Sequence, residues 1–185
     1  MDRDRIEQGV AEILAGLGNG HANEEVLANT PRRVAAAYAE FFAHIDRDPG
    51  DVLEVVYREA YEEMIVMKEI PFHSICEHHL LPFVGTVDIV YVPRDGRIVG
   101  ASKLARAVDI AASRPQLQER LTQQVANALV AKLDPSGVLV RIEATHLCMT
   151  LRGVKKPGSK MVTSAIRGSF YRDPAQRSEA LALIA

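Results

Sequence analysis

The feature that most constrains this chain is the run Cys76-Glu77-His78-His79 together with one distant thiol, Cys148, in His146-Leu147-Cys148. A thiolate and an imidazole at Cys-x-x-His spacing can close on one metal ion. A second thiolate adds a third ligand, and the set is the borderline-soft chemistry that suits zinc, Zn2+. Any fold must therefore carry the middle of the chain against a segment far downstream. Three ligands, Cys76, His79 and Cys148, leave a tetrahedral ion one open position, as catalytic sites do and closed structural sites do not. Two other readings stay open at this point. The cysteines can be buried apolar side chains or a disulfide, or a structural site can close with His146 as fourth ligand.

A chain of 185 residues suits one domain with a core of its own. The net charge of −2 shows no global bias toward nucleic acid or acidic membrane, so neither is expected as a partner and any basic site is local. No run approaches the roughly 20 apolar residues of a membrane span, and the first residues lead into no apolar signal segment. The expected location is the cytoplasm, where reduced thiols favour metal ligation over a disulfide.

Apolar residues at helical spacing predict a helix over residues 3–17, stopped by Gly18-Asn19-Gly20. Thr30 as cap and Pro31 at the first helical position predict a second helix, ended by Asp48-Pro49-Gly50. Strands are expected over 64–72 and 84–92 with the metal motif between them. Then comes a helix capped by Ser102, with Leu104, Val108, Ala111 and Ala112 inward, and a longer one over 117–133. A third strand over 138–149, a basic Gly/Pro loop over 152–160, a fourth strand over 161–166 and a closing helix over 173–184 complete the chain. The class is α+β, with an N-terminal helical extension over 1–50 and a catalytic domain over 51–185.

Period two along the third strand puts His146 and Cys148 on one face, so His146 is expected to point into the metal pocket. His146 and His78 are then the candidate proton donors and acceptors. Lys103 and Arg106, three apart near a helix start, join Arg152 and Lys155 as a local cationic group suited to a polyphosphate. Glu119 can accept two parallel hydrogen bonds. Guanine offers that pair from its ring N–H and exocyclic amine and adenine does not, so one glutamate can select GTP over ATP. The strand over 84–92 has Asp88 as its only charge and reads as an unprotected edge, ready to pair with another subunit in a closed ring.

Taken together, Cys76-Glu77-His78-His79-Leu80-Leu81-Pro82-Phe83, Gly100-Ala101-Ser102-Lys103-Leu104-Ala105-Arg106, Arg114-Pro115-Gln116-Leu117-Gln118-Glu119-Arg120-Leu121-Thr122 and Glu143-Ala144-Thr145-His146-Leu147-Cys148-Met149 resemble the GTP cyclohydrolase I family. Arg152-Gly153-Val154 and Met161-Val162-Thr163-Ser164 agree, and the resemblance covers about residues 30–185, leaving the first 29 outside. It implies a tunnelling fold, in which a four-stranded antiparallel sheet backed by two helices joins its counterparts in a ring, two rings stacking as a homodecamer. The implied reaction converts GTP and water to 7,8-dihydroneopterin triphosphate and formate, the opening step of tetrahydrofolate or tetrahydrobiopterin synthesis. By the same resemblance Cys76, His79 and Cys148 match zinc ligands, His78 and His146 catalytic histidines, and Glu119 and Gln118 guanine contacts. Ser102, Lys103, Arg106, Arg152 and Arg33 match ribose and triphosphate contacts, Ser102 also being counted with the catalytic groups and Arg33 reaching a neighbouring chain's site. A structural-zinc protein binding nucleotide or RNA without turnover, or a zinc-free tunnelling-fold relative such as a nitrile reductase, are the rival classes.

Overall fold

The computed structural model describes residues 1–18, 23–54 and 57–185, which divide into two compact units, Met1–Ala43 and His44–Ala185. The first unit is a helical pair. Helix α1 (Arg3–Leu17) forms over the span its apolar spacing predicts, with the Asp2 side chain accepting from the Arg5 backbone at 3.0 Å. It ends at Gly18, whose φ of 77° costs glycine nothing; Asn19 and Gly20, expected to share that role, lie outside the described residues. Helix α2 (Glu24–Phe41) starts about two turns earlier than Thr30 and Pro31 suggest. Asn23 is the cap, accepting from Glu25 N at 2.9 Å, and Glu24 and Glu25 favour the positive helix start. Thr30 instead donates to the Val26 carbonyl at 2.7 Å, and Pro31 sits buried inside the helix. The helix also stops before Asp48-Pro49-Gly50, which forms a separate 3-10 turn over Pro49–Val52.

The second unit is built on strands β2 (Ile65–Cys76) and β3 (Pro82–Val92), joined by a tight turn, with β1 (Tyr57–Arg58) and β4 (Arg97–Ile98) forming a small separate ribbon. Both long strands run further toward the turn than expected, so Cys76 is the last residue of β2. Helix α3 (Ala101–Ala112) follows, then the two-residue β5 (Pro115–Gln116) and helix α4 (Gln118–Leu133). Gly100 rather than Ser102 occupies the cap of α3, and no side chain bonds there. After β6 (Gly137–His146) comes a single helical turn, α5 (Leu147–Thr150), then β7 (Met161–Gly168), a short α6 (Ser169–Arg172) and α7 (Pro174–Leu183) capped by Asp173. The sheet order is β5-β2-β3-β6-β7. Its four long strands are antiparallel as expected, and the fifth, β5, adds a short parallel pairing of Ile75 with Pro115 and Cys76 with Gln116.

Alternation sorts the strand residues onto two faces. Val87 and Ile89 of β3 and Val140 and Ile142 of β6 pack with Leu104 and Val108 of α3 and with Leu121, Val125 and Leu129 of α4 in the main core. Each such fully buried side chain contributes roughly 1.5–3 kcal/mol. The intervening residues Val90, Val92 and Leu139 meet Phe170, Ala180 and Ile184 in a second, smaller cluster. Strand β3 is no edge: β2 pairs along one side of it and β6 along the other. The charge of Asp88 is spent inside the chain. It accepts from Arg141 at 3.1 Å and from the backbone of Glu69 at 2.9 Å, where a bulge interrupts β2 and Glu69 takes a φ of 55°. The long strands left with open sides are β7 and most of β2.

Gly85 faces Ala144 where β3 and β6 approach most closely; a Cβ there would strike the Glu143 carbonyl and lie 2.6 Å from the Ala144 Cα. Gly85→Ala is expected to cost at least about 2 kcal/mol. A thermal melt superimposable on that of the wild type would contradict this close approach.

Candidate metal centre and its surroundings

The β2–β3 turn presents the motif. The Cys76 amide donates to the Leu81 carbonyl at 2.9 Å, and the His79 and Leu80 amides return to the Cys76 carbonyl at 3.3 and 2.9 Å. Leu80 takes a φ of 52° to close it. The turn is also tied to the start of α4. Glu77 N donates to the Gln116 carbonyl at 3.1 Å, and the Glu77 carboxylate takes two bonds from the Arg120 guanidinium at 2.5 and 3.1 Å. The Arg120 bond holds the Glu77 carboxyl below its ordinary value. Neither Glu77 nor Arg120 was picked out as functional from sequence, although both lie in the quoted motifs; the only signal available was their opposite charge within those runs.

Cys148 reaches the same place from the other side. It lies on the α5 turn, not on a continuing strand, so the period-two argument that put His146 and Cys148 on one face does not hold. The helical turn after His146 swings the thiol toward Cys76 instead. The ligand atoms of Cys76, His79 and Cys148 lie within 4.8 Å of one another. The two sulfurs are 4.0 Å apart and His79 Nδ1 is 3.9 Å from the Cys76 sulfur. Tetrahedral zinc with bonds of about 2.3 Å to sulfur sets its thiolates about 3.8 Å apart, so the two sulfurs fit such an ion with little movement. A disulfide needs about 2.05 Å, and both cysteines are free and buried. Burial, with Cys76 beside it, pushes the Cys148 thiol above its usual value. Among the described residues the group contains no fourth side chain.

His146, the alternative fourth ligand, is engaged elsewhere. Its ring stacks on Phe83, its register partner in β3, with centroids 4.6 Å apart and planes 4° from parallel. Its Nε2 is 2.8 Å from Gln118 Oε1. Burial lowers the imidazole's pKa, against the pull of Glu119, and so favours the neutral ring. A 230 Å³ cavity beside it is lined by His146, Met149, Ser159, Lys160 and Met161. His78 is exposed on the turn, with its ring 6.2 Å from that of His79.

The remaining predicted contacts are dispersed. Glu119 is exposed in the first turn of α4, whereas Gln118 is fully buried. Ser102, Lys103 and Arg106 lie in the first two turns of α3, Lys103 being 3.9 Å from Glu54. Lys155 is exposed in the 152–160 loop with a φ of 48°. Arg152 Nη1 is 3.0 Å from His79 Nε2. A ligated Nδ1 puts the ring proton on Nε2, which then cannot accept from Arg152. Metal binding through Nδ1 and this bond therefore exclude each other, and ligation frees the guanidinium for an anion. Arg33 is exposed on α2 and belongs to the other compact unit.

Two thiols and an imidazole that converge without a fourth side chain among the described residues, with His78 and His146 outside the set, make a candidate metal centre of the open kind that hydrolytic sites use. The family follows from the chain as a whole. The family model of GTP cyclohydrolase I matches residues 6–185. The GTP cyclohydrolase 1 of Brevibacillus brevis is 54% identical over 184 residues, covering 100% of this chain and 98% of that protein. Those of Carboxydothermus hydrogenoformans, 54% identical over 100% of this chain and 95% of that protein, and of Bacillus subtilis, 50% over 98% and 95%, agree. The chain belongs to the GTP cyclohydrolase I family, which opens folate and pterin synthesis. Because the match begins at residue 6, most of the first 29 residues are part of the likeness, contrary to expectation.

Each thiol that ligates must give up its proton, and Cys148 holds its proton above the ordinary range. Metal affinity of the stripped protein is therefore expected to climb steadily from pH 6 to 8. Competition against a chromophoric chelator reads this directly, and a flat profile would exclude thiolate ligation.

Proposed function

We propose that this chain is a zinc-dependent hydrolase converting GTP and water to 7,8-dihydroneopterin triphosphate and formate, with zinc on Cys76, His79 and Cys148. The supporting observation is the convergence of those three ligand atoms within 4.8 Å in a chain that matches the family almost throughout. Bound there, zinc would supply Lewis-acid polarisation and lower the pKa of a water to about 7.

The chain's own groups supply the rest. His78, beside the ligand but free of it, donates a proton to nitrogen 7 of the purine, which makes carbon 8 electrophilic. His146 moves protons as the ribose opens and recloses onto the freed amine, with Ser102 at the ribose. Glu119 meets the guanine edge, whereas Gln118, which the resemblance places beside it, is buried with its side-chain amide already bonded to Ile142, Met161, Thr163 and His146 and takes no guanine contact in this reading. Lys103, Arg106 and Arg152 take the triphosphate near the start of α3, and Arg33 comes from a neighbouring chain. Such sharing fits a decamer of two stacked pentamers in the cytoplasm. The open sides of β7 and β2 are the surfaces that ring closure would pair, in place of β3. Among the described residues no helix is long and apolar enough to cross a membrane. The division into a helical extension over 1–50 and a catalytic domain over 51–185 belongs to the same proposal.

Incubation with GTP should release formate and, after oxidation, a fluorescent pterin. In Glu119→Gln a donor faces guanine's donors, so kcat/KM for GTP should fall about a hundredfold with zinc content unchanged. Unaltered kinetics would remove Glu119 from the site. For sharing between chains, Arg33→Ala and His78→Ala should each be nearly inactive, and rings co-assembled from the two should regain part of the activity. Mixed rings, verified by mass, that stay as inactive as the parents would place Arg33 outside any shared site.

A further inference from the structure

Gln118 is the first residue of α4, fully buried, and every polar atom of its side chain is engaged. Nε2 lies 3.1 Å from the Ile142 carbonyl, 3.0 Å from the Met161 carbonyl and 3.1 Å from Thr163 Oγ1. Backbone carbonyls only accept, so the face turned to them must be the amide NH2. The hydroxyls agree with this orientation. Thr122 Oγ1 lies 2.7 Å from the Gln118 carbonyl and 2.7 Å from Thr163 Oγ1. Thr122 donates to the carbonyl, Thr163 donates to Thr122, and Thr163 keeps a lone pair for the Gln118 amide.

With the amide so oriented, Oε1 is the atom 2.8 Å from His146 Nε2, and it can only accept. A neutral imidazole in that bond carries its proton on Nε2 and its lone pair on Nδ1. The ring cannot readily turn away from this arrangement, being stacked on Phe83 at 4.6 Å. Strands β6 and β7 supply the acceptors that orient the amide, and α4 supplies the amide itself.

We propose that Gln118 is a positioning residue that holds the proton of neutral His146 on Nε2 and leaves Nδ1 as the ring atom exchanging protons with the substrate. A proton taken from the substrate arrives on Nδ1 and leaves from it, while the Nε2 proton stays in its bond to Oε1. A fixed partner that sets a catalytic histidine's tautomer and angle is a known source of rate in other hydrolases. Here the partner is a neutral amide, so it directs the ring without adding charge to the site. This inference rests on the assignment of His146 to proton transfer.

Neutron diffraction from deuterated crystals of the wild-type zinc enzyme without GTP, grown at about pH 8.5, reads the proton's position directly. Deuterium on Nε2, with bare Nδ1, is expected; a bare Nε2 would overturn the inference while leaving the catalytic assignment of His146 intact. Kinetics give the second reading. Gln118→Met should lower kcat about tenfold or more with KM for GTP and zinc content nearly unchanged. A raised KM with unchanged kcat in Gln118→Met would instead make Gln118 a contact to the substrate and sink the positioning role. Full turnover by His146→Ala would remove the assignment on which the inference rests.

Discussion

Two buried sulfur atoms 4.0 Å apart, from residues 72 positions apart in the chain, are the constraint on which the rest of this structure depends. Holding them together takes a hairpin that ends β2 on Cys76 and a ladder that carries β6 beside β3. It also takes one helical turn after His146 to bring Cys148 inward. The pairings of β3 with both neighbours run through the core of the unit, so the position of the thiols inherits the rigidity of the sheet. The same thiols are costly to bury as thiolates, which is why a metal that takes their charge suits the place better than either cysteine alone.

The start of α4 is the second support. Gln118 reaches inward to His146 while Arg120, two residues on, reaches out to Glu77 beside the first thiol. One helical turn thus fastens both the turn that carries Cys76 and His79 and the neighbouring imidazole. The short parallel strand β5 immediately precedes it and pairs with the end of β2, so helix and turn are joined through backbone as well as side chains. The opposite face of the sheet carries a separate network, in which Asp88, Arg141, Glu143 and Lys160 link β3, β6 and the approach to β7. The Lys160 bond, with Arg141 adding to it, holds the Glu143 carboxyl low. Asp88 in turn fixes the bulge at Glu69, giving its one buried charge a structural use.

Much of this was legible in the residues themselves. Apolar spacing located α1 and the long helix α4, alternation located the four long strands, and the ligand types and their spacing pointed to one metal group of Cys76, His79 and Cys148. These are local properties, set by period and by side-chain chemistry, and they survive folding. What failed were inferences needing the neighbours of a segment. Thr30-Pro31 looks like a helix start until Asn23 and two glutamates supply a better one upstream. Asp88 on β3 looks like the lone charge of an exposed edge until β2 and β6 pair along both sides and Arg141 matches it. The run from Val138 to Met149 reads as one strand because nothing in its composition marks where the helical turn begins.

The amino-acid sequence by itself determined the class of the fold, the family and which Cys and His side chains converge in one group, because residue type and spacing carry that information without reference to distant neighbours. Tertiary structure alone decided that His146 stacks on Phe83 and turns its Nε2 to Gln118, that Glu77 grips Arg120, and that Cys148 arrives on a helical turn. The physical reason is that a hydrogen-bond acceptor has no direction until its competitors are in place. The two carbonyls that orient the Gln118 amide come from Ile142 and Met161, on strands that follow it in sequence and meet it only in the folded sheet.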